Sequence, residues 1–68
     1  MKKRSLTIDG HRTSISLEDE FWDGLKHIAA VRGCTLIDVI REIDEKRKSG
    51  LSSAIRVFVL NYYKDPSA

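Results

Sequence analysis

The chain has 68 residues, with 12 Lys and Arg against 10 Asp and Glu, two His and one Cys, for a formal net charge of +2. That length allows one small domain with a marginal core, one cysteine excludes an intrachain disulfide, and Cys34 with His11 and His27 falls short of a closed zinc site. No apolar run nears the ~18 residues of a membrane span, and the basic start lacks the apolar segment of a signal peptide, so a soluble, cytoplasmic protein without metal or cofactor is expected.

Residues 1–4, MKKR, read as a basic N-terminal arm. Ser5–Ile8 alternates Leu6 and Ile8 with Ser5 and Thr7, and His11–Leu17 alternates Thr13, Ile15 and Leu17 with Arg12, Ser14 and Ser16. Period-two alternation is the mark of a strand with one buried face. Between the two runs stands Asp9-Gly10, a strong two-residue hairpin signal, because both central positions of a type I′ turn need positive φ. The strand region is therefore 5–17.

Acids then crowd the start of a helix at 18–32 (Glu18, Asp19, Glu20, Asp23), where the helix dipole favours negative charge. Phe21, Trp22, Leu25, Ile28 and Ala29 follow at helical spacing, and Gly33 after Arg32 is a good stop. Thr35 and Asp38 form a variant capping box that opens a second helix at 35–46, with Leu36, Val39, Ile40 and Ile43 as its apolar stripe. EKRKSG interrupts the pattern. A third helix at 51–64 carries Leu51, Ala54, Ile55, Phe58 and Tyr62 on one side, broadened by Val57, Val59 and Leu60. Residues 65–68, with Pro66, form a tail, so 5–64 reads as one domain.

The charge is unevenly divided. Residues 1–16 carry +3, residues 17–45 carry −5 and residues 46–68 carry +4, so the strand end is basic. A lone strand also leaves a row of unpaired N–H and C=O groups. A two-fold dimer in which the strand pairs antiparallel with its own copy satisfies them and enlarges the core. Ile15, Leu17, Trp22, Leu25, Val39, Ile40 and Ile43 are the residues expected in that dimer core.

TSISLEDEFWDGLKHIAAVRGCTLIDVIREI, with its alternating strand, acidic helix start, glycine turn and capped second helix, resembles ribbon-helix-helix proteins of the Arc/MetJ type. The resemblance is good over residues 11–45. GHRTSISLE, FWDGL and LSSAIRVFVL look more loosely like a subgroup with an extra C-terminal helix. The fold class implied is mainly α with a short β-ribbon: an intertwined homodimer with intermolecular antiparallel strands plus a third helix. The resemblance also implies sequence-specific binding of double-stranded DNA by the dimer, with the ribbon in the major groove, in a transcriptional regulator. Carried over by position, Arg12, Ser14 and Ser16 would touch base edges, while Gly33, Cys34 and Thr35 at the second helix start would hold phosphate.

Physical chemistry is compatible with each role. A ~12 Å major groove admits a two-stranded ribbon, and arginine can donate two hydrogen bonds to guanine. A helix start offers free N–H groups to phosphate. Lys2, Lys3 and Arg4 would add sequence-independent attraction to phosphates. The plainer readings are a solvated sheet face for Arg12, Ser14 and Ser16, a cap on the first helix for Ser16 through its spacing to Asp19, and a simple helix cap for Thr35. Lys46-Arg47-Lys48 reads as a solvated linker. No nucleophile stands beside a base and no phosphate loop appears, so an enzyme is not expected. The alternative function is an antitoxin-like or adaptor dimer that binds a protein partner through its C-terminal helix.

The Asp9-Gly10 signal leaves one geometric question open. If 5–8 folds back on 11–14, a dimer has four strands, whose outer backbones stand roughly 14 Å apart at ~4.8 Å per spacing. That exceeds the ~12 Å groove. The outer strands would then ride over the phosphates, or the arms would peel away on binding.

Overall fold

Asp9 (φ 51°) and Gly10 (φ 82°) both take positive φ, so the two-residue turn forms as its sequence demands. It joins β1 (Lys2–Ile8) to β2 (His11–Leu17), and α1 (Asp19–Arg32), α2 (Leu36–Lys46) and α3 (Leu51–Lys64) follow. This computed structural model describes residues 1–64; the expected tail at 65–68 lies outside the described residues.

The strands pair antiparallel in unbroken register from Lys2 opposite Leu17 to Ile8 opposite His11. The antiparallel ribbon is therefore made within one chain, and the strand expected to pair with its own copy has β1 on one of its two edges. Lys2, Lys3 and Arg4, expected as an arm ahead of the strand, form the first half of β1. They join it because the register continues past Ser5 and because α1 grips that half. Trp22 Nε1 donates to the Lys2 carbonyl at 2.9 Å, and the Arg4 guanidinium lies 5.4 Å from the Trp22 ring centroid. A cation–π contact and a part-buried N–H bond hold the basic segment against α1.

One face of the hairpin and one stripe of each helix close the core. Ile8, Ile15 and Leu17 meet Trp22, Leu25, Ile28 and Ala29 of α1, Val39, Ile40 and Ile43 of α2, and Ile55 and Val59 of α3. All seven residues expected in a dimer core are thus already buried inside a single chain, where the hairpin and α3 cover them. Their burial does not need a second copy.

Gly24 is buried on α1 where α3 crosses: a Cβ there would stand 2.7 Å from Val59 Cγ1 and 3.2 Å from Tyr63 Cε2. The absent side chain lets the two helices approach. Val57, Leu60 and Tyr63, at helical spacing on α3, stay exposed.

Candidate nucleic-acid interface

Cross-strand pairs share a face, so the register sorts every hairpin side chain. Leu6, Ile8, Thr13, Ile15 and Leu17 face the core, and Lys2, Arg4 and His11 lie on the same side at its margin. The opposite face carries Lys3, Ser5 and Thr7 from β1 and Arg12, Ser14 and Ser16 from β2. All of these are exposed except the half-buried Ser16. Ser5 and Ser14 Oγ atoms lie 3.4 Å apart across the strands. The face holds two cations, four hydroxyls and no carboxylate.

An acid stands at each end of β2, Asp9 before it and Glu18 after it, and each meets an arginine. Asp9 at the turn has its Oδ1 3.0 Å from Arg41 Nε, a charge contact that is not aligned as a hydrogen bond. Glu18 accepts from Arg56 Nε at 3.0 Å, and this bond, ahead of the residue's own backbone N–H, lowers its carboxyl pKa below the ordinary value. Arg56 Nη2 also donates to the Ser16 carbonyl at 3.5 Å. Alternation explains that last bond. In a two-residue hairpin Ile8 and His11 exchange both hydrogen bonds, so residues 13, 15 and 17 bond inward and residues 12, 14 and 16 turn their N–H and C=O to the outer edge. Ser16 does not cap α1; the cap position is Glu18, with no side-chain bond.

The α2 start holds the second group of expected site residues. Gly33 takes φ 71° and ends α1, its N–H reaching back to Ala30 O, while Cys34 is half-buried against the core. Thr35 Oγ1 accepts from Asp38 N at 3.1 Å and Asp38 Oδ2 accepts from Thr35 N at 3.2 Å, the reciprocal box expected from the spacing. That backbone bond from Thr35 is the main reason the Asp38 carboxyl titrates below its ordinary value. The box consumes part of the helix start and adds a negative charge to it. The Leu36 and Ile37 N–H groups and the Thr35 hydroxyl proton remain to donate.

The structure brings Lys3, Arg12, Ser14 and Ser16 onto one surface and takes Lys2 and Arg4 off it, onto the inner face. Gly33, Cys34 and Thr35 form their own cluster at the far end of α1, 14 residues or roughly 20 Å from the start of that helix. The Asp9–Arg41 contact nonetheless brings the hairpin turn against α2, about 9 Å along the helix from Thr35. Ser5 and Thr7 are the residues that the sequence reading left out. Their signal was present: the Asp9-Gly10 turn fixes a register that sets 5 and 7 beside 14 and 12. Lys46, the last residue of α2, pairs with Glu42, and Arg47 after it pairs with Asp44 at 2.6 Å and donates to Ser49 O. Among the described residues there is no cluster of three or more His, Cys, Asp or Glu able to hold a metal, and no helix long and apolar enough to cross a membrane.

A family model described as a ribbon-helix-helix domain matches residues 1–63. Members of that family are generally DNA-binding transcription regulators or antitoxins, typically non-enzymatic and typically dimeric on DNA. No curated protein and no solved structure matched the chain.

Proposed function

The chain belongs to the ribbon-helix-helix family, and from that premise we propose that it is a cytoplasmic, nucleoid-associated transcriptional regulator that binds double-stranded DNA sequence-specifically as a homodimer. The observation that carries this reading is the outer hairpin face: cations and hydroxyls in register, no carboxylate, and an arginine from α2 or α3 against each of the two flanking acids. In this reading the face lies in the major groove. Arg12 donates to guanine O6 and N7, and Ser14 and Ser16 bond to neighbouring base edges. Phosphates are met by Lys3 and by the free N–H groups and Thr35 hydroxyl at the α2 start.

The second copy joins at the outer edge of β2. Arg12 and Ser14 present free N–H and C=O groups there, and an antiparallel pair centred on Ser14 satisfies them. The dimer then doubles the basic face. Binding-site selection with the purified protein, followed by titration of the selected and a scrambled duplex, tests the proposal. Arg12→Ala is expected to weaken the selected site by about 1–3 kcal/mol and relax base preference at one position, with the fold intact because the side chain is exposed. Failure of the wild type to prefer any sequence overturns the reading.

A second reading is favoured by one observation, the exposed Val57, Leu60 and Tyr63 stripe on α3. An antitoxin-like or adaptor dimer would use it to hold a protein partner. A co-purifying protein lost on Leu60→Asp, with DNA binding unchanged, would support that role.

A further inference from the structure

We propose that β1 is a second DNA-contacting strand, whose Lys3, Ser5 and Thr7 hold the phosphates along the groove edges while β2 reads bases. The inference rests on the DNA reading and on dimerisation through β2. Thr7 stands opposite Arg12, Ser5 opposite Ser14 and Lys3 opposite Ser16. These are the pairs that do not exchange ladder hydrogen bonds, and in such pairs side chains come closest, with directly opposite Cβ atoms about 4.5–5.5 Å apart. The 3.4 Å between the Ser5 and Ser14 hydroxyls is the direct sign of it. A duplex touched by Arg12, Ser14 and Ser16 is therefore within reach of Thr7, Ser5 and Lys3.

Strand order decides what β1 meets. With β2 paired to its copy, the sheet runs β1, β2, partner β2, partner β1, and its outer backbones stand roughly 14 Å apart. A groove ~12 Å wide takes the inner pair and leaves the outer pair above its walls. The chemistry of β1 fits those walls. Lys3 supplies charge, and the serine and threonine hydroxyls donate to phosphate oxygens without base preference. The peeling-away alternative is disfavoured by the grip on β1: Ile8 is buried, Trp22 Nε1 holds the Lys2 carbonyl, and Arg4 lies against the same ring. A strand held in this way stays on the sheet when DNA arrives.

The test uses the full chain, with Lys3→Ala and the double variant Ser5→Ala/Thr7→Val, which keeps β-branching at position 7. Circular dichroism and hydrogen exchange verify the hairpin in each. Binding is measured on the selected duplex and a scrambled one across salt concentrations. Lys3→Ala is expected to flatten the log–log salt slope by about 0.9 per subunit. The double variant is expected to weaken both duplexes by the same factor, about fivefold per hydrogen bond lost, with the selected sequence unchanged. A shift in the selected sequence would place β1 inside the groove and overturn the phosphate assignment. No effect of either variant, while Arg12→Ala still impairs selection, would overturn β1 as a contacting strand and leave the DNA reading standing. Absence of sequence preference in the wild type would instead sink that underlying reading.

Discussion

Adding one methyl group at Gly24 tests how tightly α3 is built into the fold. The Cβ of alanine would stand 2.7 Å from Val59 Cγ1, well inside van der Waals contact, and 3.2 Å from Tyr63 Cε2. Tyr63 is exposed and its ring can give by a few tenths of an ångström. Val59 is 3% exposed, and a helical valine has essentially one χ1 rotamer, so it cannot swing aside. The helices must move apart by roughly half an ångström or more, and overpacking of this kind costs typically ~1–3 kcal/mol. Alanine is also the better helix former, by about 1 kcal/mol over glycine. The difference leaves Gly24→Ala destabilising by about 1 kcal/mol.

A change of background gives this prediction its sharpest form. Val59→Ala removes the obstructing Cγ1 at a cavity cost of its own. In that background the clash with position 59 is gone and the propensity gain remains, so Gly24→Ala is expected to stabilise by about 1 kcal/mol. Urea denaturation of the four proteins, followed by helical circular dichroism at one fixed protein concentration, gives the cycle directly. A stabilising Gly24→Ala in the wild-type background would mean that α3 does not sit against α1 at this point, and equal destabilisation in both backgrounds would mean that Val59 is not the obstruction.

Trp22→Phe removes the N–H that holds the Lys2 carbonyl and leaves a smaller ring. A loss of about 1–3 kcal/mol is expected, with faster hydrogen exchange at the start of β1; unchanged protection would refute the anchor. Glu18 and Asp38 both titrate below their ordinary values, so the stability they contribute is complete above the normal carboxylate range and is lost as pH falls towards the lowered values. Arg56→Met should flatten the Glu18 share of that acid loss and Thr35→Val the Asp38 share; a melting profile between pH 6 and 2.5 with unchanged slope would contradict the assignment. Dimerisation at the β2 edge should raise the denaturation midpoint with protein concentration. Ser14→Pro, which removes an N–H pointing away from β1, should abolish that dependence and leave the hairpin in place.

Local chemistry made most of the fold legible. Asp9-Gly10 specifies its turn because few residues tolerate two consecutive positive φ values, and Thr35 with Asp38 specifies a helix start because the cap is satisfied within four residues. Lys2 and Arg4 were not legible as parts of a strand. Their charge suggests a solvated arm, and the force that overrides it is a tertiary one, the Trp22 ring 20 residues along the chain. The seven core residues were recognisable as buried, but what buries them was not. Periodicity reports that a face is covered without saying whether its own chain or another covers it. Gly24 carried an unread signal, since a glycine inside an otherwise regular helix often marks a close approach. For the site, β2 alternation was enough to place Arg12, Ser14 and Ser16 outward. Ser5 and Thr7 needed the turn to be followed through to its register.

The C-terminal helix packs under the ribbon through Ile55 and Val59 and reaches the outer edge of β2 through Arg56, and the geometry of that last contact decides whether α3 obstructs a second copy or assists it. Arg56 Nη2 donates to the Ser16 carbonyl on the outer edge of β2, which is the edge proposed to accept the partner strand. Pairing centred on Ser14 asks the same carbonyl to accept the Arg12 N–H of the second copy. A carbonyl oxygen has two lone pairs, so the two donors can share it. The Arg56 bond is long, at 3.5 Å, whereas its bond to Glu18 is 3.0 Å; a small shift towards Glu18 relaxes the first without breaking the second. Arg56 therefore holds the β2–α1 junction through Glu18 and leaves the edge open. With Glu18 paired to Arg56 there, and Asp9 at the opposite end of the hairpin sharing Arg41 with Asp38, the charges of the outer face itself are those of Lys3 and Arg12.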